Sequence, residues 1–209
     1  MTTLYFVRHA ESIANAQHLL AGRKDFPLSD IGKADALALA REFSQHYQID
    51  ALWCSPLLRA QQTAAPFLNA CNTPMQFDQR LIEQDLGRFS GLSYSQAEAD
   101  PAYCTERSAR WDWIPEGGGE SYRMIADRVA DFFRDFRETC AQNKLEQVLI
   151  VTHAVTMRLI RATLECTLPR YPEAIAGNGE LWITELLPPS QAATLQSISL
   201  GNGPRSNRA

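Results

Sequence analysis

The sequence predicts an α/β fold: a three-layer α/β/α arrangement around a mostly parallel central sheet, with a small helical insertion. Three observations predict it. Short apolar runs at 4–7, 49–54 and 148–151 have the length and composition of strands buried on both faces. Longer stretches with apolar residues at helical spacing alternate with these runs. No internal repeat or linker breaks the alternation, so 1–200 reads as a single domain.

Leu4, Tyr5, Phe6 and Val7 form the first strand, which hands over to a loop at Arg8 and His9. A helix capped by Ser29 or Asp30 follows, with Ile31, Ala34, Leu37, Ala38 and Phe43 as its apolar positions. The second strand, 49–54, stops at Ser55 and Pro56. The alanine- and glutamine-rich stretch 57–71 then reads as a helix that Pro66 interrupts or kinks. Met75, Gln76 and Phe77 make a brief strand, and 81–91 an irregular loop.

From 92 to 119 the chain carries charged and aromatic residues without a clean period, ending in Trp111, Asp112, Trp113, Ile114 and three glycines. This stretch is expected to be the helical insertion, or a lid over the site. Glu120 and Ser121 open a long amphipathic helix, with Ile125, Val129, Phe132, Phe133 and Phe136 on one side and Arg128, Asp131, Arg134 and Asp135 on the other. The run 148–151 is the most strand-like and ends in Thr152 and His153, before a helix from about 156 to 166. Strands at 181–185 and 195–199 suggest a hairpin that adds one antiparallel strand. The Gly-, Pro-, Asn- and Arg-rich tail, 201–209, is expected to be disordered.

A net charge of −4 and a pI near 5.6 give the molecule no overall field that would draw nucleic acid or a membrane surface, so any anion site must be local. The five cysteines are widely spaced, with no zinc-ligand pattern, and read as reduced, mostly buried thiols. No secretory segment or run of transmembrane length is visible, which points to the cytoplasm. His18 and His46 read as surface residues. No H-x-H, H-E-x-x-H or acidic cluster accompanies His9 or His153, so no metal is expected.

His9 and His153 both lie just past the ends of buried strands that precede helices. In a parallel sheet those ends point the same way, the edge where ligands bind in open α/β sheets. Arg59 follows the second strand and Glu83 the third. With Arg8, these groups would form a pocket suited to a tetrahedral dianion, since a guanidinium can grip phosphate oxygens bidentately. Taken singly, each has a plainer reading as a surface charge or a strand-end histidine; their joint placement favours a site.

Several segments in order carry a resemblance: Arg8, His9, Ala10, Glu11 and Ser12 with Asn15; Gly22 and Arg23 through Pro27, Leu28 and Gly32; Ser55, Pro56 and Leu57 with Arg59, Ala60, Thr63 and Ala64; Leu81 with Glu83 and Gly87; Gly119, Glu120 and Ser121; and Val151, Thr152 and His153. The chain resembles the histidine phosphatase superfamily, the group that includes cofactor-dependent phosphoglycerate mutases. Ala10 and Ala154 stand where the family usually has glycine. The resemblance implies a phosphoglycerate mutase-like fold and an enzyme in which His9 is the nucleophile that becomes a phosphohistidine. Arg8, Arg59 and His153 would stabilise the transferring group, and Glu83 would be the general acid. Asn15, Arg23, Thr152 and Ala154 are expected to contact substrate. Glu11 and Glu120 are weaker candidates.

The shorter chain and the aromatic insertion favour a phosphatase acting on a small organic phosphate, as monomer or homodimer and without a cofactor. The alternative is a phosphoglycerate mutase primed by 2,3-bisphosphoglycerate. A non-catalytic module that binds a phosphorylated ligand ranks third, because the five catalytic candidates are all present.

Overall fold

The computed structural model describes residues 1–71 and 74–200. Six strands form one sheet in the order β3-β2-β4-β1-β5-β6. They are β1 (Thr3–Arg8), β2 (Ala51–Cys54), β3 (Met75–Phe77), β4 (Gln147–Thr152), β5 (Leu181–Glu185) and β6 (Gln196–Ile198). β1 to β4 are mutually parallel; β5 pairs antiparallel with β1, and β6 antiparallel with β5. β5 alone therefore runs against the others, as the hairpin predicts.

Side chains alternate across the sheet. Leu4, Phe6, Trp53, Val148, Ile150 and Trp182 face a core completed by α5 (Tyr122–Asn143) and α6 (Ala154–Leu164). Tyr5, Val7, Leu52, Cys54, Leu149, Val151 and Leu181 face the opposite core, closed by α2 (Asp30–His46) and α3 (Leu58–Cys71). The three layers are thus helices, sheet and helices. α5 starts at Ser121, whose hydroxyl accepts from the Met124 N–H, and ends at Lys144 in the left-handed region, φ 53°. Its buried positions include all five apolar residues of the predicted face.

Two helices depart from expectation. α2 buries Gly32, Ala36, Ala40 and Phe43, while Ile31 and Leu37 are exposed at 56% and 43%. Small residues face inward because the helix lies close to the chain that follows β1. A Cβ on Gly32 would stand 2.0 Å from the Glu11 carbonyl oxygen. The same carbonyl accepts the Ser29 N–H at 2.9 Å, and the Glu11 carboxylate accepts the Ser29 hydroxyl at 2.6 Å. Gly32→Ala is therefore expected to lower stability by about 1–3 kcal/mol through overpacking, even though alanine is the better helix former. A denaturant midpoint at or above wild type would contradict this.

α3 runs through Pro66 without interruption. Proline inside a helix costs about 3 kcal/mol. Burial of Phe67, Ala60 and Ala64 against the sheet offsets it, since a fully buried Phe alone contributes about 1.5–3 kcal/mol.

Between 87 and 113 the chain forms a helical turn at Gly87–Phe89, the short helix α4 (Tyr94–Glu98) and a turn at Ser108–Trp111. These cover a small core of their own: Leu20, Leu86, Phe89, Ala97 and Tyr103, flanked by Trp113. The remaining helix, α1 (Ile13–Ala16), follows β1. The four cysteines whose side chains are described are all free; Cys54 and Cys140 are buried, Cys104 is half-buried and Cys166 is exposed, so burial is less general than expected. No described helix is long and apolar enough to cross a membrane. The predicted tail, 201–209, lies outside the described residues.

Register carries this architecture to the site. Arg8 lies opposite Thr152, and Cys54 opposite Val151, so the three central strands end level. The His9 N–H donates to the Thr152 carbonyl at 2.9 Å and the Ser55 N–H to the Val151 carbonyl at 3.0 Å. His9, Ser55 and His153 thus emerge together at one edge of the sheet.

Candidate active site

His9 is 3% exposed, and its ring stands 5.1 Å from that of His153, centre to centre. Nδ1 lies 2.7 Å from the Ala10 carbonyl oxygen. A carbonyl can only accept, so Nδ1 carries the proton and Nε2 keeps its lone pair. Burial, then the guanidiniums of Arg59 and Arg8, hold the His9 pKa well below the ordinary 6.5, so the ring is neutral. A neutral imidazole with a fixed tautomer is a competent nucleophile.

Arg8 and Arg59 are 7% and 1% exposed, and each has a terminal nitrogen anchored to backbone carbonyls. Arg8 donates to Ala176 at 2.6 Å, and Arg59 to Gly22 and Lys24 at 2.8 and 2.9 Å. Their Nε atoms, like His153 Nδ1, are buried with no partner among the described residues. Unpaired buried polar atoms are costly, and here all three belong to groups around His9. An oxyanion would satisfy the two guanidinium N–H groups, and His153 Nδ1 as well when that nitrogen carries the ring proton.

His153 is fully buried and caps α6 from an extended conformation, φ −129° and ψ 170°. Its Nε2 sits 2.6 Å from the Ser55 hydroxyl. Burial, followed by Arg59, His9, Arg128 and Arg8, lowers its pKa well below 6.5. The helix begins at Ala154, earlier than its sequence suggests, because its capping partner is distant. The Glu83 carboxylate lies 3.4 Å from the backbone nitrogens of both Val155 and Thr156. This contact brings Glu83 to the His153 end of the site, where the Arg8 and Arg59 charges also reach it. The Thr152 hydroxyl donates to the Leu81 carbonyl at 2.6 Å and ties down the loop leading to Glu83. Ala154 is the first residue of α6 and is 7% exposed.

Arg23 is held in a carboxylate network. Its Nε donates to the Glu83 carbonyl at 3.2 Å and its Nη2 to Glu120 at 3.1 Å. Glu120, 7% exposed, also accepts two bonds from Arg128, at 2.8 and 3.0 Å, and its carbonyl accepts the Gln84 amide at 2.8 Å. Glu120 therefore braces the chain at Glu83, through Arg23, and at Gln84. The Asn15 carbonyl oxygen accepts from the Ser12 N–H and hydroxyl and from the Asn178 amide, which leaves its NH₂ group as a donor.

The alanines in place of glycine are accommodated. Neither Ala10 nor Ala154 has a positive φ, so the backbone does not require glycine there. Ala10 packs with Leu28 and Ala36, its N–H donates to the Thr63 hydroxyl at 3.0 Å, and Thr63 in turn donates to the Arg59 carbonyl at 2.7 Å. Ser55, Thr63 and Asn178 are site neighbours that sequence reasoning did not assign. The Ser-Pro stop after β2 was the available signal for Ser55; Asn178, in a loop far along the chain, had none. His46 is exposed. Among the described residues, no three His, Cys, Asp or Glu side chains are grouped to hold a metal ion.

The two buried histidines set a pH dependence. Both are neutral when folded, whereas in the unfolded chain they take up protons below about pH 6.5. Stability is thus complete above pH 6.5 and declines as pH falls toward the folded-state pKa values, by up to about 1.4 kcal/mol per pH unit for each histidine. Denaturant unfolding between pH 7.5 and 5 is expected to show this decline, with a shallower slope for His9→Gln. Equal slopes would contradict it.

Comparison with known proteins finds a match of residues 4–196 to the family model for the histidine phosphatase superfamily (branch 1). Phosphoserine phosphatase 1 of Hydrogenobacter thermophilus is 34% identical over 169 residues, 78% of this chain and 76% of that protein. A 2,3-bisphosphoglycerate-dependent phosphoglycerate mutase of Nitrobacter winogradskyi is 31% identical over 169 residues, 78% of this chain and 80% of that protein. Among solved structures, the α-ribazole phosphatase from Shigella flexneri superposes with a TM-score of 0.77 over 94% of this chain and 96% of that one, at 24% identity, a likeness of fold.

Proposed function

The chain belongs to branch 1 of the histidine phosphatase superfamily, and from that premise we propose that it is a phosphomonoester hydrolase that works through a phosphohistidine at His9. One observation supports the reading above the rest: Arg8, Arg59 and His153, which reach a neutral His9 by their charge or their ring and whose Nε, Nε and Nδ1 atoms are buried without a partner among the described residues, face a nucleophile whose Nδ1 is already committed. His9 Nε2 forms a bond to phosphorus as the ester P–O bond breaks. Glu83 gives its proton to the departing alkoxide. Glu83, now ionised, takes a proton from water as the water oxygen attacks phosphorus, which releases inorganic phosphate and restores His9. Phosphoryl transfer has a loose transition state, so the fixed charges of Arg8 and Arg59 act mainly by stabilising the equatorial oxygens. Asn15 adds a neutral donor, Ala154 contributes backbone at the start of α6, and Arg23 holds Glu83 in place. The substrate is a phosphorylated small molecule, as the name of the phosphoserine phosphatase relative suggests.

The mutase relative supports a second reading, in which 2,3-bisphosphoglycerate primes His9. Purified protein supplied with 3-phosphoglycerate, the bisphosphate primer and a panel of phosphomonoesters separates the two. Phosphate release faster than isomerisation supports the hydrolase. Primer-dependent isomerisation with little phosphate release overturns it.

A further inference from the structure

A loop far along the chain, 176–180, leads into β5 and holds the backbone of the nucleophile. The Ala176 carbonyl accepts the Arg8 guanidinium at 2.6 Å. The Gly179 N–H donates to the Arg8 carbonyl at 3.0 Å, and the Arg8 N–H to the Glu180 carbonyl at 3.2 Å. Between these contacts, the side-chain nitrogen of Asn178 lies 3.0 Å from the His9 carbonyl oxygen, 3.3 Å from that of Ala10 and 3.3 Å from Asn15 Oδ1. Two of the three are backbone carbonyls, which can only accept, so the group that meets them is an NH₂ whose two hydrogens are shared among three oxygens.

The Ala10 carbonyl is the one that also accepts His9 Nδ1–H, at 2.7 Å. A carbonyl oxygen has two lone pairs, and His9 and Asn178 supply a donor to each. The peptide unit one step earlier is held at both ends, its carbonyl by Asn178 and its N–H by the Thr63 hydroxyl. The loop that presents Asn178 is itself closed. The Glu180 carboxylate accepts the Gly177 N–H at 2.6 Å, the Trp182 indole N–H at 2.7 Å and the Ser197 hydroxyl at 3.0 Å, which fastens the loop to β5 and β6. The Glu180 N–H donates back to the Gly177 carbonyl at 3.0 Å. Gly179, at φ +71°, makes the turn in the left-handed region that glycine tolerates.

We propose that Asn178 is a positioning residue for the reaction at His9: its NH₂ group holds the His9 and Ala10 carbonyls and, through the Ala10 carbonyl, fixes the ring orientation and tautomer that aim Nε2 at phosphorus. The role rests on the hydrolase reading for the reaction it serves, but the tautomer it fixes belongs to the free protein. Asn178 also holds Asn15 Oδ1, so the same amide keeps the Asn15 NH₂ group free to donate.

Asn178→Leu keeps the size of the side chain without its donor, and Asn178→Ala removes both. Heteronuclear NMR of the histidine rings reads the consequence before any turnover. The wild type is expected to show His9 protonated at Nδ1 and bare at Nε2. In both variants the two nitrogen shifts should converge as the second tautomer becomes populated. The kcat for a phosphomonoester should fall about 10- to 100-fold, the scale on which misplacement of a reacting group is felt, while KM and the calorimetric Kd for inorganic phosphate change by less than about threefold. Wild-type nitrogen shifts in both variants, or an unchanged kcat, overturn the role. Phosphate binding lost together with kcat in both variants would make Asn178 a support of the fold and overturn it as well. Failure of the hydrolase reading would appear separately, as a wild-type protein that releases no phosphate while its His9 tautomer still responds to the variants.

Discussion

Replacement of His9 by alanine is expected to cut kcat/KM for every phosphomonoester by roughly 10³- to 10⁶-fold, the scale on which removal of a covalent nucleophile is felt. The cause is specific. Nδ1 is committed to the Ala10 carbonyl, so Nε2 is the one nitrogen of that ring able to attack phosphorus, and His153 Nε2 is engaged with Ser55. Arg8 and Arg59 keep their backbone anchors in the variant, so inorganic phosphate should still bind within a few-fold of wild type. Lost turnover with retained phosphate binding is the expected pair of results, read by steady-state kinetics and calorimetry. Loss of both would point to a disturbed fold instead.

Glu83→Gln should produce a loss that depends on the leaving group. For alkyl esters the alkoxide needs a proton, and removal of a general acid costs about 10²- to 10⁴-fold. p-Nitrophenolate leaves without one, so the first chemical step with p-nitrophenyl phosphate should stay close to wild type. Attack by water still lacks its base. Stopped-flow measurement on the variant should therefore show a burst of p-nitrophenolate followed by a slow steady state. A uniform loss across all esters, without a burst, would remove Glu83 from the proton-transfer role.

Most of the architecture was legible because long periodic segments report it well. The five apolar positions of α5 were read from helical spacing, and the central strands from their continuous apolar runs. The inward face of α2 was not, because hydrophobicity pointed to Ile31 and Leu37 whereas contact with Glu11 selects for small size. The start of α6 was missed for a related reason: its cap comes from Glu83, which local sequence cannot show. Arg8, His9, Arg59, Glu83 and His153 could be grouped because strand ends in a parallel sheet share one edge. The partner of the Thr152 hydroxyl was not legible, since the Leu81 carbonyl lies 71 residues away in sequence.

Rapid acid- and base-quench of the enzyme with a phosphomonoester labelled in its phosphoryl group tests the central claim most directly. The account predicts an acid-labile, base-stable phosphoenzyme whose label maps to the peptide containing His9 and disappears in His9→Ala. Steady phosphate release with no label trapped on the protein, or label on another residue, would contradict it.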